Sequence, residues 1–507
     1  MKSLFSWLVS IVSIALLVSA CAKTDDSDSS SSASTESTAS AVISELSARL
    51  SSTSSSRQGR VSSRSTSKEL TNSLTSSQIT SVVDAATAAV CAASLASSED
   101  LIQIMPKIII GAQGELATVG LSNSSEKIKV INVIGNSLVR SVSGRSDKLP
   151  SASAESGSTA TETVLSKITS TSVANLDEAG LSSTDIGAAS SELVETVIGS
   201  LGSSGIGSTA LTGVVDKISG GAVDALDQIT GFTVSSLGDA IDNITSGATA
   251  GLGDITLSGY SVSDLDEMVG FVTSGATAAL GKISMDNYSA DNLSSMVNRV
   301  TAGATGGLGR ISMTDYNASH LPAMLKNITG GATGSLGKIS MTGYFSDNLS
   351  TMVEQVTAGA TGALGKISMT GYFSDNLSTM VEQVTAGATG ALGNISMTDA
   401  SGGGSYDVSD LAGMIEKVTA GATGALGYIS MTDASGGGSF DASDLSGMMS
   451  KITAGATGAL GNISMANYTS DNLSTMVSKV TSGATGALGK IKQRDGTAFA
   501  GYFSDNL

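Results

Sequence analysis

A repeat of 28 residues fills the C-terminal half of the chain and constrains its fold more than any other feature. Each copy contains Gly-Ala-Thr, two further residues and then Leu-Gly. Residues 338–365 recur unchanged as residues 366–393, so we expect that the copy number can vary without loss of the fold. The first glycine of the marker recurs in steps of 28 residues, apart from two steps of 34, at Gly247, Gly275, Gly303, Gly331, Gly359, Gly387, Gly421, Gly455 and Gly483.

The apolar residues of one unit follow the period of an α-helix. We therefore predict an amphipathic helix over residues 347–367, with Ser346 as its N-cap and Asp347 in its first turn. Acids at the place of Asp347 recur at Asp264, Asp291, Asp375, Asp410, Asp444 and Asp471. In an α-helix each residue is rotated by about 100° from the one before it. On this basis one apolar stripe lies within about 60° of Leu349 on the helix surface, and it contains Met352, Val353, Val356, Ala360, Ala363, Leu364 and Ile367.

Three glycines in each unit oppose this helix. Gly359, Gly362 and Gly365 would each cost about 1 kcal/mol relative to alanine in a helix interior. Either they let a neighbouring helix approach closely, or the helix ends near Gly359 and residues 364–369 form a short strand. The first reading predicts an all-α tandem array, and the second a β-α solenoid. One unit buries too little apolar surface to fold alone, so the units must stack.

Composition divides the chain into four regions: 1–20, 21–75, 76–245 and 246–507. Residues 22–75 are dominated by Ser and Thr, which predicts a disordered linker spanning about 40 Å. Residues 76–245 contain degenerate markers at Gly111 and Gly221, which predicts an irregular helical region. The two long units carry their additional residues at 399–405 and 433–439, where we predict loops. Residues 501–507 match the opening of a further unit, which predicts frayed terminal residues or a truncated reading frame.

The first 21 residues have the form of an export signal. Lys2 precedes an apolar run over residues 4–20, and Cys21 follows this run directly. Residues 18–21 are Val-Ser-Ala-Cys. This ending resembles the lipobox of bacterial lipoproteins. The resemblance implies cleavage before Cys21, attachment of diacylglycerol and palmitate to Cys21, and anchoring in the cell envelope. In such lipoproteins the residue after the cysteine directs sorting between membranes, and Ala22 at this place, rather than Asp, implies the outer membrane. The alternative is a retained transmembrane helix, which the length of the run barely permits.

Few residues offer catalytic or metal-binding chemistry. The one histidine, His320, falls at the start of a predicted helix and is interpreted as a surface substitution. We find no Cys/His cluster, phosphate-binding loop or histidine-activated nucleophile, so we predict no enzyme activity and no cofactor. Asp399, Asp407 and Asp410 are weak calcium candidates, against the alternative of a solvated loop. Cys91 is interpreted as a buried small residue.

Two functions are compatible with these patterns. The first is a membrane-anchored spacer or protein-binding scaffold that presents the face of a repeat array to an unknown protein partner. The second is a coat of amphipathic helices on a lipid surface, which resembles the perilipin type. The formal net charge of −18 argues against a nucleic-acid partner, and we expect no small-molecule substrate.

Overall fold

The computed structural model describes six segments of the chain: 123–143, 160–203, 208–396, 406–429, 444–465 and 467–491. It also describes five single residues, Pro106, Ile109, Ile110, Gln113 and Leu116. The described residues form thirteen α-helices and no strand, which confirms the all-α tandem array over the β-α solenoid. The predicted signal, the Ser-rich linker and both loop insertions lie outside the described residues.

The helices are numbered in chain order. They are α1 (Ser124–Ser143), α2 (Ala160–Ala174), α3 (Ser183–Gly199), α4 (Ser208–Ala225), α5 (Val234–Gly251), α6 (Val262–Ala279), α7 (Ala290–Gly307), α8 (Leu321–Ser335), α9 (Ser346–Gly362), α10 (Ser374–Ala391), α11 (Leu411–Ala425), α12 (Leu445–Ala459) and α13 (Ser470–Gly486). From α5 onwards, each helix is followed at once, or after one residue, by a three-residue 3₁₀ turn such as Leu364–Lys366.

The predicted apolar stripe is confirmed, but the predicted C-terminal end of its helix is wrong. All eight residues of the stripe are buried, from Leu349 to Ile367. The helix α9 ends at Gly362, and the chain passes through the 3₁₀ turn into an extended backbone at Ile367. The tighter turn keeps Leu364 in the core. The pattern of buried apolar residues therefore continues beyond the end of the helix.

The predicted N-cap of this helix is displaced by one residue. Phe345, not Ser346, has the extended backbone of the cap, with a φ of −134°. The third helical residue, Asn348, accepts a hydrogen bond at its Oδ1 from the Phe345 N–H at 2.8 Å. A side chain at this position reaches back to the cap as in half of a capping box. The same bond is made in five other helices by Ser236, Asp264, Asn292, Asn376 and Asn472. Asp264 therefore stands at the place of Asn348, one residue after the place that the sequence analysis gave it.

The helices form two rows, because each packs mainly against the helix two places along the chain. The even-numbered helices from α2 to α12 form one row and the odd-numbered helices from α3 to α13 the other. Helices within a row run parallel, since Gly303 lies on Asp242 and Gly307 on Ser246, both 61 residues earlier. The two rows share one continuous apolar core.

Candidate interaction surface

The marker glycine is where two helices of a row touch. A methyl group on Gly359 would overlap the carbonyl oxygen of Asn298 and the Oγ1 of Thr301 in α7. The same contact with a backbone carbonyl joins Gly247 to Ser191, Gly275 to Asp216, Gly303 to Asp242, Gly331 to Gly270, Gly387 to Lys326, Gly421 to Glu354, Gly455 to Glu382 and Gly483 to Glu416. The glycine therefore allows the close approach that one of the two sequence readings required, as in small-residue helix packing elsewhere.

Each unit from α5 to α11 buries two threonines at the same two positions of its helix. In α9, the Thr357 Oγ1 lies 3.0 Å from the carbonyl oxygen of Glu354 in its own helix and 3.0 Å from that of Val418 in α11. Thr361, one turn later, is fully buried and its hydroxyl has no hydrogen-bond partner among the described residues. The same lack of a partner is found at Thr249, Thr277, Thr305, Thr333 and Thr389.

A tyrosine that the sequence reasoning missed closes the connection between helices. The Tyr372 hydroxyl donates to the carbonyl oxygen of Leu364 at 3.1 Å. The residue before it, Gly371, has a φ of +82°, a conformation that glycine, Asn and Asp tolerate best. The corresponding bond is made by Tyr260, Tyr288, Tyr316, Tyr344, Tyr406 and Tyr468. Recurrence of Tyr at the repeat spacing was the signal that could have identified it.

The longer connection after Leu392 keeps this bond. Tyr406 follows Leu392 by 14 residues, where the shorter units have eight, and its hydroxyl still donates to the Leu392 carbonyl oxygen at 3.0 Å. The additional residues therefore leave the two anchor points of the connection unchanged. The conformation of the insertion itself, which is predicted to be a loop, lies outside the described residues.

Two of the three calcium candidates, Asp407 and Asp410, lie within the described residues, and both accept hydrogen bonds at the start of α11. The Oδ2 of Asp410 accepts from the Asp407 N–H at 2.9 Å, at the start of α11. The Oδ1 of Asp407 accepts from the Ser409 hydroxyl at 2.6 Å, and this bond lowers the pKa of Asp407. Asp399 lies outside the described residues, as do Cys21 and Cys91. Within the described part of the chain, no group of three or more His, Cys, Asp or Glu side chains could hold a metal ion.

His320 lies at the start of a helix, as expected. It occupies the N-cap position of α8 and is half-buried. Its ring stacks on that of Tyr316 with the centroids 6.2 Å apart. Its Nδ1 lies 3.3 Å from the backbone nitrogen of Asn317, so the side chain serves the turn that precedes the helix.

Ion pairs join helices of the same row along the surface. Lys417 in α11 lies 2.6 Å from Glu354 in α9, and Lys479 in α13 lies 2.6 Å from Glu416 in α11. In the other row, Lys451 lies 2.7 Å from Glu382. Desolvation dominates at Asp242 and raises the pKa of its carboxyl despite the nearby Lys366. These ion pairs therefore connect successive helices of a row at the surface.

The comparisons with known proteins give no family for this chain. Neither the models of protein families nor the curated proteins include a match to it. Among the helices that the structure describes, none is both long and apolar enough to cross a membrane.

Proposed function

We propose that this chain is a lipid-anchored lipoprotein of the cell envelope whose helical array acts as a structural spacer or a protein-binding scaffold. The observation that carries the proposal is the use of the apolar stripe. Leu349, Met352, Val353 and Val356 are all buried among helices of the array. A coat of helices on a lipid surface needs such a stripe free to enter the interface. The packing therefore supports the scaffold over the lipid coat.

The outer surface of the array supports the same choice. Among the described residues of helices α2 to α12 and their connections, three large apolar side chains are exposed, Phe345, Phe373 and Tyr428. Single exposed apolar residues are ordinary on a protein in water. An extended stack of similar units offers a long face for contact with another protein.

The anchoring part of the proposal depends on the residues around Cys21. Lipidation there, followed by the Ser-rich segment, would hold the array outside the membrane plane at a distance set by the linker. The array would then act by position and contact, without chemical transformation.

Circular dichroism tests the scaffold against the coat. The variant Cys21→Ser, begun at residue 21, should give a strong helical signal with a cooperative thermal transition, and vesicles of neutral or anionic lipid should leave both unchanged. A weak signal that rises with vesicles would overturn the scaffold and favour the lipid coat.

A second experiment tests the anchor separately. Expressed with its native signal in a bacterium, the chain should incorporate labelled palmitate and fractionate with the outer membrane. Cys21→Ser should abolish the label, while Cys91→Ser should retain it. Incorporation that survives Cys21→Ser would contradict lipidation at this position.

A further inference from the structure

The array contains two sets of methionine that differ in burial. One set, the helix methionines, lies seven residues before the marker glycine in each helix from α6 to α13. These eight side chains are at most 2% exposed. The other set, the connection methionines, lies ten residues after the marker glycine. Its described members are half-buried against the edge of the core, and they are Met285, Met313, Met341, Met369 and Met465.

Each connection methionine stands at the first position of a turn whose backbone is held in place. The Met369 carbonyl oxygen accepts from the Tyr372 N–H at 3.2 Å, and the Tyr372 hydroxyl donates to Leu364. The residues on either side of Met369, Ser368 and Thr370, are exposed. The Met369 side chain therefore lies at the boundary between the core and water, and neither of these two hydrogen bonds uses it.

The packing at this position does not itself require methionine. In the connection between α5 and α6 the residue at this position is Leu257, which is also half-buried against the core. Its carbonyl oxygen accepts from the Tyr260 N–H at 3.0 Å, in the same turn. Leucine and methionine are similar in volume, but leucine has no sulfur. The connection methionines therefore add the chemistry of an accessible thioether.

An accessible thioether reacts with peroxides by oxygen transfer. A lone pair of the sulfur attacks one oxygen of hydrogen peroxide, the O–O bond breaks, and the other oxygen leaves as water after a proton transfer. The sulfur loses two electrons and becomes a sulfoxide, while the peroxide is reduced. Because a sulfoxide is polar, it is tolerated where it faces water and is costly where it is buried without a hydrogen-bond partner.

We propose that the connection methionines are oxidation sites at which the array consumes hydrogen peroxide, one molecule for each thioether, while the helix methionines stay reduced. The helix methionines lie in the core that the two rows share, so they react only when the array opens locally. The hydrogen bonds of each connection remain after oxidation, because they involve the backbone and the tyrosine. The array thus takes up oxidant at its edges and keeps its packing.

Two stretches of the chain provide matched pairs for a test. Trypsin cleaves after Lys and Arg, so residues 283–299 and residues 311–326 each form one peptide. Each peptide contains one methionine of each set, Met285 with Met296 and Met313 with Met324. The Cys21→Ser chain, begun at residue 21, is treated with hydrogen peroxide for increasing times. Mass spectrometry of the two peptides gives the rate of oxidation at each methionine, and the same treatment in urea provides the unfolded control.

We expect Met285 and Met313 to be oxidised about tenfold or more faster than Met296 and Met324 in the folded chain, and at similar rates in urea. Circular dichroism should retain its helical signal after the connection methionines have been oxidised. Equal rates in the folded chain would overturn the proposal. So would a helical signal that is lost together with the oxidation of Met285 and Met313.

Two leucine variants separate the sets. The double variant Met285→Leu and Met313→Leu places at both positions the residue that the chain already carries as Leu257, so it should fold and take up two fewer oxygen atoms in the fast phase. The control Met296→Leu conserves the volume of a helix methionine and should leave the fast phase unchanged. Unchanged uptake in the double variant, or reduced fast uptake in the control, would contradict the assignment.

Discussion

Helices α2 and α3 differ from the later helices in how each contacts the part of the chain that precedes it in its row. At the marker position, five residues before the buried Leu176 and Leu201, they carry Thr171 and Thr196 instead of glycine. Their contacts use side chains: the Gln113 Nε2 donates to the carbonyl oxygen of Ser172 at 2.9 Å. From α4 onwards the marker residue is glycine, and from α5 onwards it lies on a backbone carbonyl.

The difference explains why the later units are alike. The carbonyl that meets the marker glycine belongs to Gly270, Lys326 or Glu354 in different units, and the contact is the same. A contact between backbones does not depend on side-chain identity, whereas side-chain packing must be fitted pair by pair. Units joined through backbone contacts are therefore interchangeable, which makes duplications such as residues 338–393 tolerable.

Deleting helices from the two regions should give the largest difference. Removing residues 338–393 takes out two identical units and keeps every later helix in its own row, so we expect a soluble protein with a cooperative transition. Removing residues 160–203 takes out α2 and α3 and uncovers the start of both rows, so we expect aggregation. Soluble yield and circular dichroism would measure both. Equal tolerance of the two deletions would break the comparison.

Two glycines of α11 should respond oppositely to the same substitution. Gly421→Ala places a methyl group on the Glu354 carbonyl and should lower the free energy of unfolding by about 1–3 kcal/mol through overpacking. Gly413→Ala meets no described atom within 4 Å and should raise it by about 0.5–1 kcal/mol, because alanine favours the helix. Thermal denaturation measures both. Similar changes in the free energy of unfolding at both sites would show that the contact between α9 and α11 does not require glycine at position 421.

The paired threonines of α9 should also differ. Thr357→Val removes a hydroxyl that is hydrogen-bonded to a backbone carbonyl and should cost about 1 kcal/mol. Thr361→Val removes a buried hydroxyl without a partner among the described residues, so it should be neutral or stabilising by about 1 kcal/mol. Chemical denaturation of the two variants gives the comparison. A larger loss at Thr361 would indicate that its hydroxyl is bonded.

The buried tyrosines predict sensitivity to alkali in the array. Burial raises the pKa of Tyr344 and Tyr372 in the folded chain above the value of about 10 expected when it is unfolded. Their contribution is therefore complete below about pH 10 and falls as the pH rises above it. Tyr372→Phe should weaken the hydrogen-bonded connection near neutral pH and reduce the loss between about pH 10 and 11. The same alkaline loss in wild type and variant would contradict this.

The helices could be predicted from sequence because the spacing from Leu349 to Val356 places one side of the helix in the core. Their ends were less accessible, since Leu364 and Ile367 stay buried after the backbone has left the helix. The pairing of alternate units could not be read from a period of 28, because identical units do not show which copy contacts which. The Tyr372 bond depends on a turn at Gly371 that an apolar pattern does not record.

Hydrogen exchange across the described array tests the central claim, that a unit is stabilised by its neighbours. Interior helices α6 to α10 should exchange slowly, while α13 should exchange fastest although its sequence is nearly that of α10. The exposed Leu473 and Val477 predict this order. Equal protection of α10 and α13 would contradict the account, because each unit would then be stable by itself.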